Sequence, residues 1–134
     1  MNVIIDSNIF VMCMNPLSDY YIIFQKLIKG YFTLSVSTEI VFEYMEIFER
    51  KFRKAKSNLL YKFLIESNYV RFVEVYFKWG LITTDPDDNK YSDCYIAANA
   101  DYLVTNDRHF DILKKSAFPQ ISVLNIDEFV KIIA

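Results

Sequence analysis

An almost unbroken apolar run opens the chain, in residues 2–10 with the sequence NVIIDSNIF. A run rich in β-branched residues is typical of a strand covered on both faces of a parallel sheet, and it predicts a first strand over residues 2–6. Asp6 ends that strand. The carboxyl ends of parallel strands border the crevice where α/β proteins bind ligands, which makes Asp6 a candidate functional residue. A turn-forming or helix-capping Asp in the sequence DSN is the alternative.

Helical and strand-like patterns alternate over the next part of the chain. The apolar spacing in SDYYIIFQKLIKG predicts a helix that ends at Gly30. YFTLSVS then predicts a short strand. STEIVFEYMEIFERKFR predicts a second helix, because it has a Ser/Thr start, acids in its early turns and a basic end.

The rest of the chain repeats this alternation. A third helix is predicted over residues 57–69, and RFVEVYF fits either a strand or an apolar connection. The remaining segments predict the loop DPDDN, the helix YSDCYIAANA, the strand DYLVTN, the helix DRHFDILKKS, the strand QISVLN and the closing helix IDEFVKIIA. Such alternation implies right-handed crossovers. We therefore expect one domain over residues 1–134, an α/β fold with a central, mainly parallel sheet in a three-layer α/β/α sandwich.

Composition favours a compact protein with a large core. The chain is 53% hydrophobic with 12 Phe and 10 Tyr, but only 2 Gly and 3 Pro. Cys13 and Cys94 lack any metal-binding or redox spacing and are interpreted as reduced thiols in or near the core. The high aromatic content also suggests a homodimer, because apolar surface beyond what one small core can absorb tends to become interface.

Charge and hydropathy narrow the function. Residues Met1 to Met14 contain no Lys or Arg, and no apolar run reaches the roughly 20 residues of a membrane span, so we expect a cytosolic protein without a membrane partner. The net charge of −2 argues against nucleic-acid binding by bulk positive charge. It leaves open a metal ion that supplies positive charge locally.

Four acids form a pattern across the predicted elements. Asp6 ends the first strand, Asp93 lies in the first turn of a late helix, and Asp107 directly follows the strand DYLVTN. Glu43 lies on the apolar stripe of the second helix, where an unpaired carboxylate is costly. A divalent cation is the simplest neutraliser, and carboxylate ligands favour Mg²⁺ or Mn²⁺ over zinc. His109 is the only histidine, which argues against a His-based site, and it is interpreted as a partly exposed residue at a helix start.

Several long motifs resemble the PIN-domain ribonucleases, particularly the toxin components of toxin-antitoxin pairs. The motifs are VIIDSNIF, SVSTEIVFEYMEIF, DPDDNKYSDCYIAANADYLVTNDRHF and ISVLNIDEFV, which together cover nearly the whole chain. The resemblance implies a PIN-like α/β fold with four metal-binding and catalytic acids at Asp6, Glu43, Asp93 and Asp107. It also implies positioning roles for Ser7, Asn8 and Thr105, an RNA substrate cut endonucleolytically, and a cognate antitoxin partner.

Other acids near these positions leave alternatives open. Glu39, Glu43 and Glu46 are spaced so that all could reach one side of the second helix, and only the family register selects Glu43. Glu39 is otherwise a first-turn partner of the helix dipole, and Glu46 and Glu49 belong to a solvated face. In the loop DPDDN, the acids Asp85, Asp87 and Asp88 are interpreted as turn-shaping. Asp88 is also a candidate to orient the metal ligands without binding the metal itself.

Clustered carboxylates that hold one or two Mg²⁺ or Mn²⁺ ions are typical of enzymes that hydrolyse phosphodiesters. The basic run RKFRKAK, including Arg50, Arg53 and Lys54, is a candidate for phosphate contacts, with a solvated helix end as the equal alternative. Two other functions are compatible with the residues. One is a binding module without catalysis, for nucleic acid or protein, and the other is a metal-dependent hydrolase of another phosphate ester.

Overall fold

Five parallel strands form a single sheet at the centre of the computed structural model, which describes residues 1–134. The strands are β1 (Asn2–Ile5), β2 (Thr33–Val36), β3 (Val70–Phe72), β4 (Tyr102–Val104) and β5 (Val123–Leu124). Their order across the sheet is β3-β2-β1-β4-β5, and every neighbouring pair is parallel. This confirms the predicted α/β fold with a parallel sheet.

The central strand explains the apolar run at the start of the chain. In β1, Val3 pairs with Leu34 of β2 on one side and with Tyr102 of β4 on the other. Val3, Ile4 and Ile5 are fully buried, because neighbours cover both edges and both faces of the strand. The end of β1 therefore lies in the middle of the sheet.

Six α-helices and two 3-10 helices connect the strands. The α-helices are α1 (Ser7–Cys13), α2 (Tyr21–Ile28), α3 (Thr38–Lys51), α4 (Lys54–Glu66), α5 (Asn89–Ala98) and α6 (Ile126–Ile133), and the 3-10 helices are Pro86–Asp88 and Arg108–Lys115. Helix α5 packs on β1, β2 and β4, while α1 packs on α2 and α3. The elements share one core of 35 buried residues. Cys13 and Cys94 lie in that core as free thiols, as predicted, and burial raises the pKa of each to about 12.

Helix ends follow local capping chemistry, which the sequence predicts at the start of α3 and at Gly30. The Ser37 hydroxyl accepts a hydrogen bond from the Ile40 N–H, which fixes the start of α3. Gly30 lies just beyond α2 with φ +78°, and a Cβ there would collide with the ring of Tyr69. Asn125 and Glu128 form a capping box at the start of α6. None of the helices has both the length and the hydrophobicity that a membrane span requires.

Some boundaries differ from the sequence predictions. Helix α1, directly after Asp6, was not predicted, because its short apolar run resembles the strand before it. Helix α4 begins at Lys54 instead of residue 57. The segment RFVEVYF starts as the end of β3 and continues without regular structure. The predicted helix after Asp107 is a 3-10 helix over Arg108–Lys115.

Candidate active site

Asp6 and Asp107, the first and last of the four predicted acids, follow the carboxyl-terminal ends of neighbouring strands. Asp6 follows β1 and Asp107 follows β4 with two residues between, and β1 and β4 are neighbours. The Asp6 N–H donates to the carbonyl of Val104 at 3.0 Å, which continues the sheet pairing up to the site. Parallel strands thus bring together residues that are about a hundred positions apart in sequence.

Asp6 is buried and held by a hydroxyl group of the neighbouring strand end. Only 6% of the residue is exposed. The Thr105 hydroxyl donates to Asp6 Oδ2 at 2.9 Å, and the Ser7 hydroxyl lies 3.4 Å from Oδ1. Asp6 occupies the N-cap position of α1, but its side chain accepts no capping hydrogen bond from the helix. The capping alternative therefore does not account for this carboxylate.

Thr105 connects Asp6 to Asp107. Its hydroxyl oxygen accepts a hydrogen bond from the Asp107 N–H at 3.0 Å while it donates to Asp6. The Thr105 side chain is buried, so this geometry is fixed by packing as well as by hydrogen bonds. The structure therefore supports the predicted positioning role of Thr105.

Glu43 reaches the same region from α3. The Tyr91 hydroxyl on α5 donates a hydrogen bond to Glu43 and accepts one from the Ser7 N–H at 3.2 Å. Lys90 Nζ lies 3.5 Å from the Glu43 carboxylate and 3.0 Å from Asp87. Lys90 partly neutralises Glu43, whereas Glu39 and Glu46 are exposed as predicted.

Mutual repulsion and burial affect these acids, which we call the inner carboxylates (Asp6, Glu43 and Asp107). Burial raises the pKa of Asp6, and the charges of Glu43 and Asp107 raise it further. The hydrogen bond from Thr105 opposes this rise because it stabilises the ionised form. A bound cation would relieve both the burial cost and the repulsion.

A second group of ligand atoms lies beside the inner carboxylates. Asp85, Asp88 and His109, here called the loop cluster, are the only residues that place three ligand atoms within 4.8 Å of one another. His109 Nδ1 lies 3.6 Å from Asp88, 4.0 Å from Asp85 and 3.5 Å from Asp107 Oδ1. Asp107, one of the inner carboxylates, thus also lies beside His109 of the loop cluster.

One carboxylate oxygen of Asp88 has no hydrogen-bond partner. Its Oδ2 atom is buried and accepts no hydrogen bond, and His109 Nδ1 at 3.6 Å lies beyond hydrogen-bond distance. Burial raises the pKa of Asp88 to about 6, helped by the charges of Asp85, Asp107 and Asp6. An orphaned, partly desolvated carboxylate oxygen is costly unless a proton or a cation neutralises it.

Asp93 is not brought to either group. The residue is only 5% exposed, and its Oδ1 accepts a hydrogen bond from the Trp79 N–H at 3.0 Å. Burial raises the pKa of Asp93, and the charges that act on it are those of Lys78 and Glu39. Its hydrogen-bond partner Trp79 and the nearby charges of Lys78 and Glu39 belong neither to the inner carboxylates nor to the loop cluster.

The remaining predicted residues fall into two places. Ser7 is buried beside Asp6, and exposed Asn8 lines an open pocket of about 290 Å³ together with Asp6 and Asp107. Arg50, Arg53 and Lys54 are exposed and make no ion pair. Arg50 lies in the last turn of α3, roughly 10 Å along the helix axis beyond Glu43, whereas Arg53 caps α4 and Lys54 is its first residue. Phe52, within the same basic run, packs on Phe48 of the core.

Sequence reasoning missed the loop cluster. It interpreted Asp85 and Asp88 mainly as turn residues, kept Asp88 only as a candidate to orient the metal ligands, and argued against a His-based site. The signal was present in the two motifs DPDDN and TNDRH, which come to the same sheet edge because the loop before α5 and the loop after β4 meet there. Only the fold shows that His109 faces these acids.

By its fold and its site, the chain is an α/β protein with clustered acids at the carboxyl ends of its central parallel strands. The sequence profile of the PIN domain matches residues 2–109. The chain therefore belongs to the PIN-domain family, which confirms the family resemblance of its motifs. No curated protein matches the sequence significantly.

Two solved structures share the fold. The structure of VapBC2 from Rickettsia felis, bound to a DNA fragment from their promoter, matches with a TM-score of 0.63 and 23% identity. The match covers 93% of this chain and 98% of that chain. FitAcB from Neisseria gonorrhoeae matches with a TM-score of 0.59 and 14% identity, over 92% of this chain and 97% of that chain. At these identities the likeness establishes the fold.

Proposed function

We propose that this protein is a metal-dependent endoribonuclease that hydrolyses RNA phosphodiester bonds and acts as the toxin of a toxin-antitoxin pair. The observation that carries the proposal is the orphaned, buried Asp88 Oδ2 beside the inner carboxylates. A bound cation would neutralise this oxygen together with the inner carboxylates, and the PIN-domain family membership supplies the nuclease context.

The residues present fit a divalent metal ion. Asp6, Glu43, Asp88 and Asp107 offer carboxylate oxygens, which suit Mg²⁺ or Mn²⁺, and Asp85 and His109 extend the set of donors. The imidazole nitrogen of His109 favours Mn²⁺ over Mg²⁺, because nitrogen ligands suit Mn²⁺ better. A bound divalent ion supplies a Lewis acid that activates water and stabilises the charge of the cleaved phosphate.

The protein's own side chains hold this site in shape. Thr105 fixes the carboxylate of Asp6 and the backbone of Asp107, so the two acids keep their separation. Tyr91 fixes Glu43 against the start of α1 through the Ser7 N–H. Such outer partners orient metal ligands and raise the affinity of the site.

We assign the fourth acid of the site to Asp88 instead of Asp93. The sequence motif selects Asp93, but the Asp93 carboxylate is engaged by the Trp79 N–H, whereas Asp88 has an unsatisfied oxygen among the other acids. In this proposal Asp93 is a positioning residue that fixes the segment around Trp79 on α5.

RNA as the substrate, and the toxin role, rest on the resemblance of the motifs to PIN-domain ribonucleases of toxin-antitoxin pairs. The match with a chain of VapBC2 supports the same assignment at the level of fold. We propose a cognate antitoxin as the protein partner and a homodimer as the assembly. Exposed apolar side chains such as Leu17 and Phe42 provide surface for such contacts.

Phosphate contacts by Arg50, Arg53 and Lys54 remain part of the proposal. Arg50 at the end of α3, and Arg53 and Lys54 at the start of α4, would contact phosphates of the substrate away from the cleaved bond. Asn8 is closer, since it lines the pocket formed with Asp6 and Asp107.

The test is cleavage of a 5′-labelled single-stranded RNA with Mn²⁺, compared with a phosphomonoester, by the wild-type protein and Asp6→Asn. We expect RNA cleavage by the wild type, none in EDTA, and a loss of at least 100-fold in Asp6→Asn. Asp19→Asn, a change at an exposed acid outside the site, should cleave normally.

Two outcomes would contradict the proposal. Hydrolysis of the phosphomonoester without RNA cleavage would favour another phosphate-ester hydrolase. RNA binding without cleavage by well-folded protein, at any Mn²⁺ or Mg²⁺ concentration, would favour a binding module.

A further inference from the structure

Three aromatic rings form a cluster on the surface, here called the aromatic cluster: Phe77, Trp79 and Phe118. The ring centroids of Phe77 and Trp79 lie 4.9 Å apart, and those of Trp79 and Phe118 lie 6.2 Å apart, both pairs with edge-to-face geometry. Phe118 is 83% exposed and Phe77 is 62% exposed. Rings on the surface usually lie singly, so a cluster of three, contributed by two separate segments, requires an explanation.

The first of these segments is fixed to α5. The Trp79 N–H donates to the Asp93 carboxylate at 3.0 Å. The Asn89 side chain accepts from the Ile82 N–H at 2.8 Å and donates to the Ile82 carbonyl at 2.9 Å. These bonds hold an otherwise irregular segment in one position, so the aromatic cluster is a preformed surface.

The aromatic cluster is connected to the loop cluster through α5, because Trp79 is bonded to Asp93 and Asp88 precedes the first residue of that helix. Asp93 and Asp88 are five residues apart on or beside α5, which corresponds to about 7.5 Å along the helix axis. The second segment makes the same connection, because Phe118 follows the 3-10 helix whose second residue is His109. Both segments that carry the rings therefore also carry, or are fixed beside, residues of the loop cluster.

Lysines accompany the rings. Lys78 lies between Phe77 and Trp79 in sequence, and Lys114 and Lys115 precede Phe118. Lys78 and Lys115 form no ion pair, and Lys114 pairs only with exposed Asp111 at 3.6 Å. Exposed aromatic rings alternating with free cations are the composition of surfaces that bind single-stranded nucleic acids.

We propose that the aromatic cluster is a base-stacking platform that binds the unpaired bases of single-stranded RNA beside the cleavage site. This inference rests on the proposed ribonuclease function and adds the substrate class to it. Stacking on rings is tolerant of sequence, since every base has a π-face, and the lysines neutralise phosphates next to the stacked bases. Double-stranded RNA keeps its bases inside the helix and would not bind in this way.

A protein partner fits this surface less well than RNA does. Lysine is depleted in the cores of protein interfaces because its desolvation is costly, and here a lysine separates the first two rings in sequence.

Trp79 provides the measurement, because it is the only tryptophan in the chain. We expect single-stranded oligoribonucleotide to quench its fluorescence with saturation, in EDTA so that no cleavage takes place. An abasic oligonucleotide of equal length and charge should quench weakly. Phe118→Ala and Phe77→Ala should each weaken binding roughly five-fold or more. Tyr61→Ala, a matched change at an exposed ring on α4, should leave binding unchanged.

The outcomes separate this inference from the proposed function. Equal quenching by the abasic and normal strands, or no quenching, would overturn the platform, and Mn²⁺-dependent RNA cleavage in the same preparation would show that only the platform fails. Quenching as expected without cleavage would leave the platform standing and refute the nuclease. A shift from dimer to monomer in Phe118→Ala, without an effect on RNA binding, would show that a second copy of the chain covers the rings.

Discussion

The Thr105 hydroxyl donates a hydrogen bond of 2.9 Å to the Asp6 carboxylate and accepts one of 3.0 Å from the Asp107 N–H. One small side chain thus connects the ends of two neighbouring strands and the two acids that follow them. The contact stabilises the ionised form of Asp6, whose pKa is raised by burial and by the charges of Glu43 and Asp107. Thr105 therefore tunes the acid that the opening apolar run places in the middle of the sheet.

Thr105→Val tests this connection. The substitution keeps the shape but removes the hydroxyl, so Asp6 loses a donor and the Asp107 N–H loses an acceptor. We expect affinity for Mn²⁺ to fall about 10- to 100-fold, as for other losses of groups that orient metal ligands. Isothermal titration with Mn²⁺ measures the affinity. Thr105→Ser keeps the hydroxyl and should retain most of the affinity; an equal loss in both variants would argue against the hydrogen bond as the cause.

Tyr91→Phe should lower both the stability of the fold and its affinity for metal, whereas a control variant should lower stability alone. Loss of the hydroxyl leaves the Ser7 N–H unsatisfied and Glu43 unheld, with an expected cost of about 1–3 kcal/mol in the free energy of unfolding and weaker Mn²⁺ binding. Tyr95→Phe is the matched control, because Tyr95 lies on the same helix and its hydroxyl donates to the Asp101 carbonyl and accepts from the Ser122 N–H, with no bond to an acid of the site. It should cost similar stability, measured by urea unfolding, with unchanged metal affinity.

Divalent metal should stabilise the fold. A ligand at 100 times its dissociation constant adds about 2.7 kcal/mol to the free energy of unfolding. In EDTA, Asp6→Asn should be more stable than the wild type, because it removes a buried charge whose pKa is raised by burial and by the charges of Glu43 and Asp107. Thermal unfolding with and without Mn²⁺ measures both effects. An unchanged melting temperature with Mn²⁺, together with Asp6→Asn no more stable than Asp19→Asn, would contradict the clustered site.

The metal-free protein should lose stability as the pH rises through the range of the Asp88 carboxyl. The pKa of Asp88 is about 6 in the folded chain, above the ordinary 3.8, because of burial and the charges of Asp85, Asp107 and Asp6, with His109 opposing. Between about pH 4 and 6 the folded state therefore binds more protons than the unfolded state, and stability falls as the pH increases.

Asp88→Asn should remove much of that slope. Its advantage over the wild type should be absent near pH 4 and reach on the order of 1 kcal/mol above about pH 6, after allowance for solvent screening. Urea unfolding in EDTA across this range measures the difference. A pH-independent difference between the two proteins would show that the Asp88 carboxyl has an ordinary pKa.

The sequence predicts the fold well where burial dictates the pattern. The apolar run of β1, the caps at Ser37 and Asn125 and the C-terminal Gly30 each follow from local chemistry, and the parallel sheet follows from their order. Helix α1 escaped prediction because seven residues directly after a strand show no clear helical period. The 3-10 helix after Asp107 has about 3.0 residues per turn instead of 3.6, a difference in period that a hydrophobic pattern of eight residues does not resolve.

The candidate site was predictable at the strand ends and not in the loop. Asp6 and Asp107 are fixed by the sheet, and Glu43 by the stripe of α3. Asp88 and Asp93, in contrast, lie about 140° apart around the axis of α5, and the motif alone does not show which of them faces the other acids. The choice depends on where α5 begins, at Asn89, and on the Trp79 N–H that engages Asp93.

In the proposed function, Asp6, Glu43, Asp107 and Asp88 form one metal-dependent ribonuclease site. The most direct test compares Mn²⁺-dependent cleavage of single-stranded RNA by Asp88→Asn and Asp93→Asn, with circular dichroism to confirm folding. Asn at position 93 keeps an oxygen that accepts the Trp79 N–H, whereas Asn at position 88 removes the charge beside the inner carboxylates. We expect Asp88→Asn to lose at least 100-fold in rate and Asp93→Asn to stay within a few-fold of the wild type. Full activity in Asp88→Asn, together with an inactive Asp93→Asn, would contradict the assignment of Asp88 as the fourth acid.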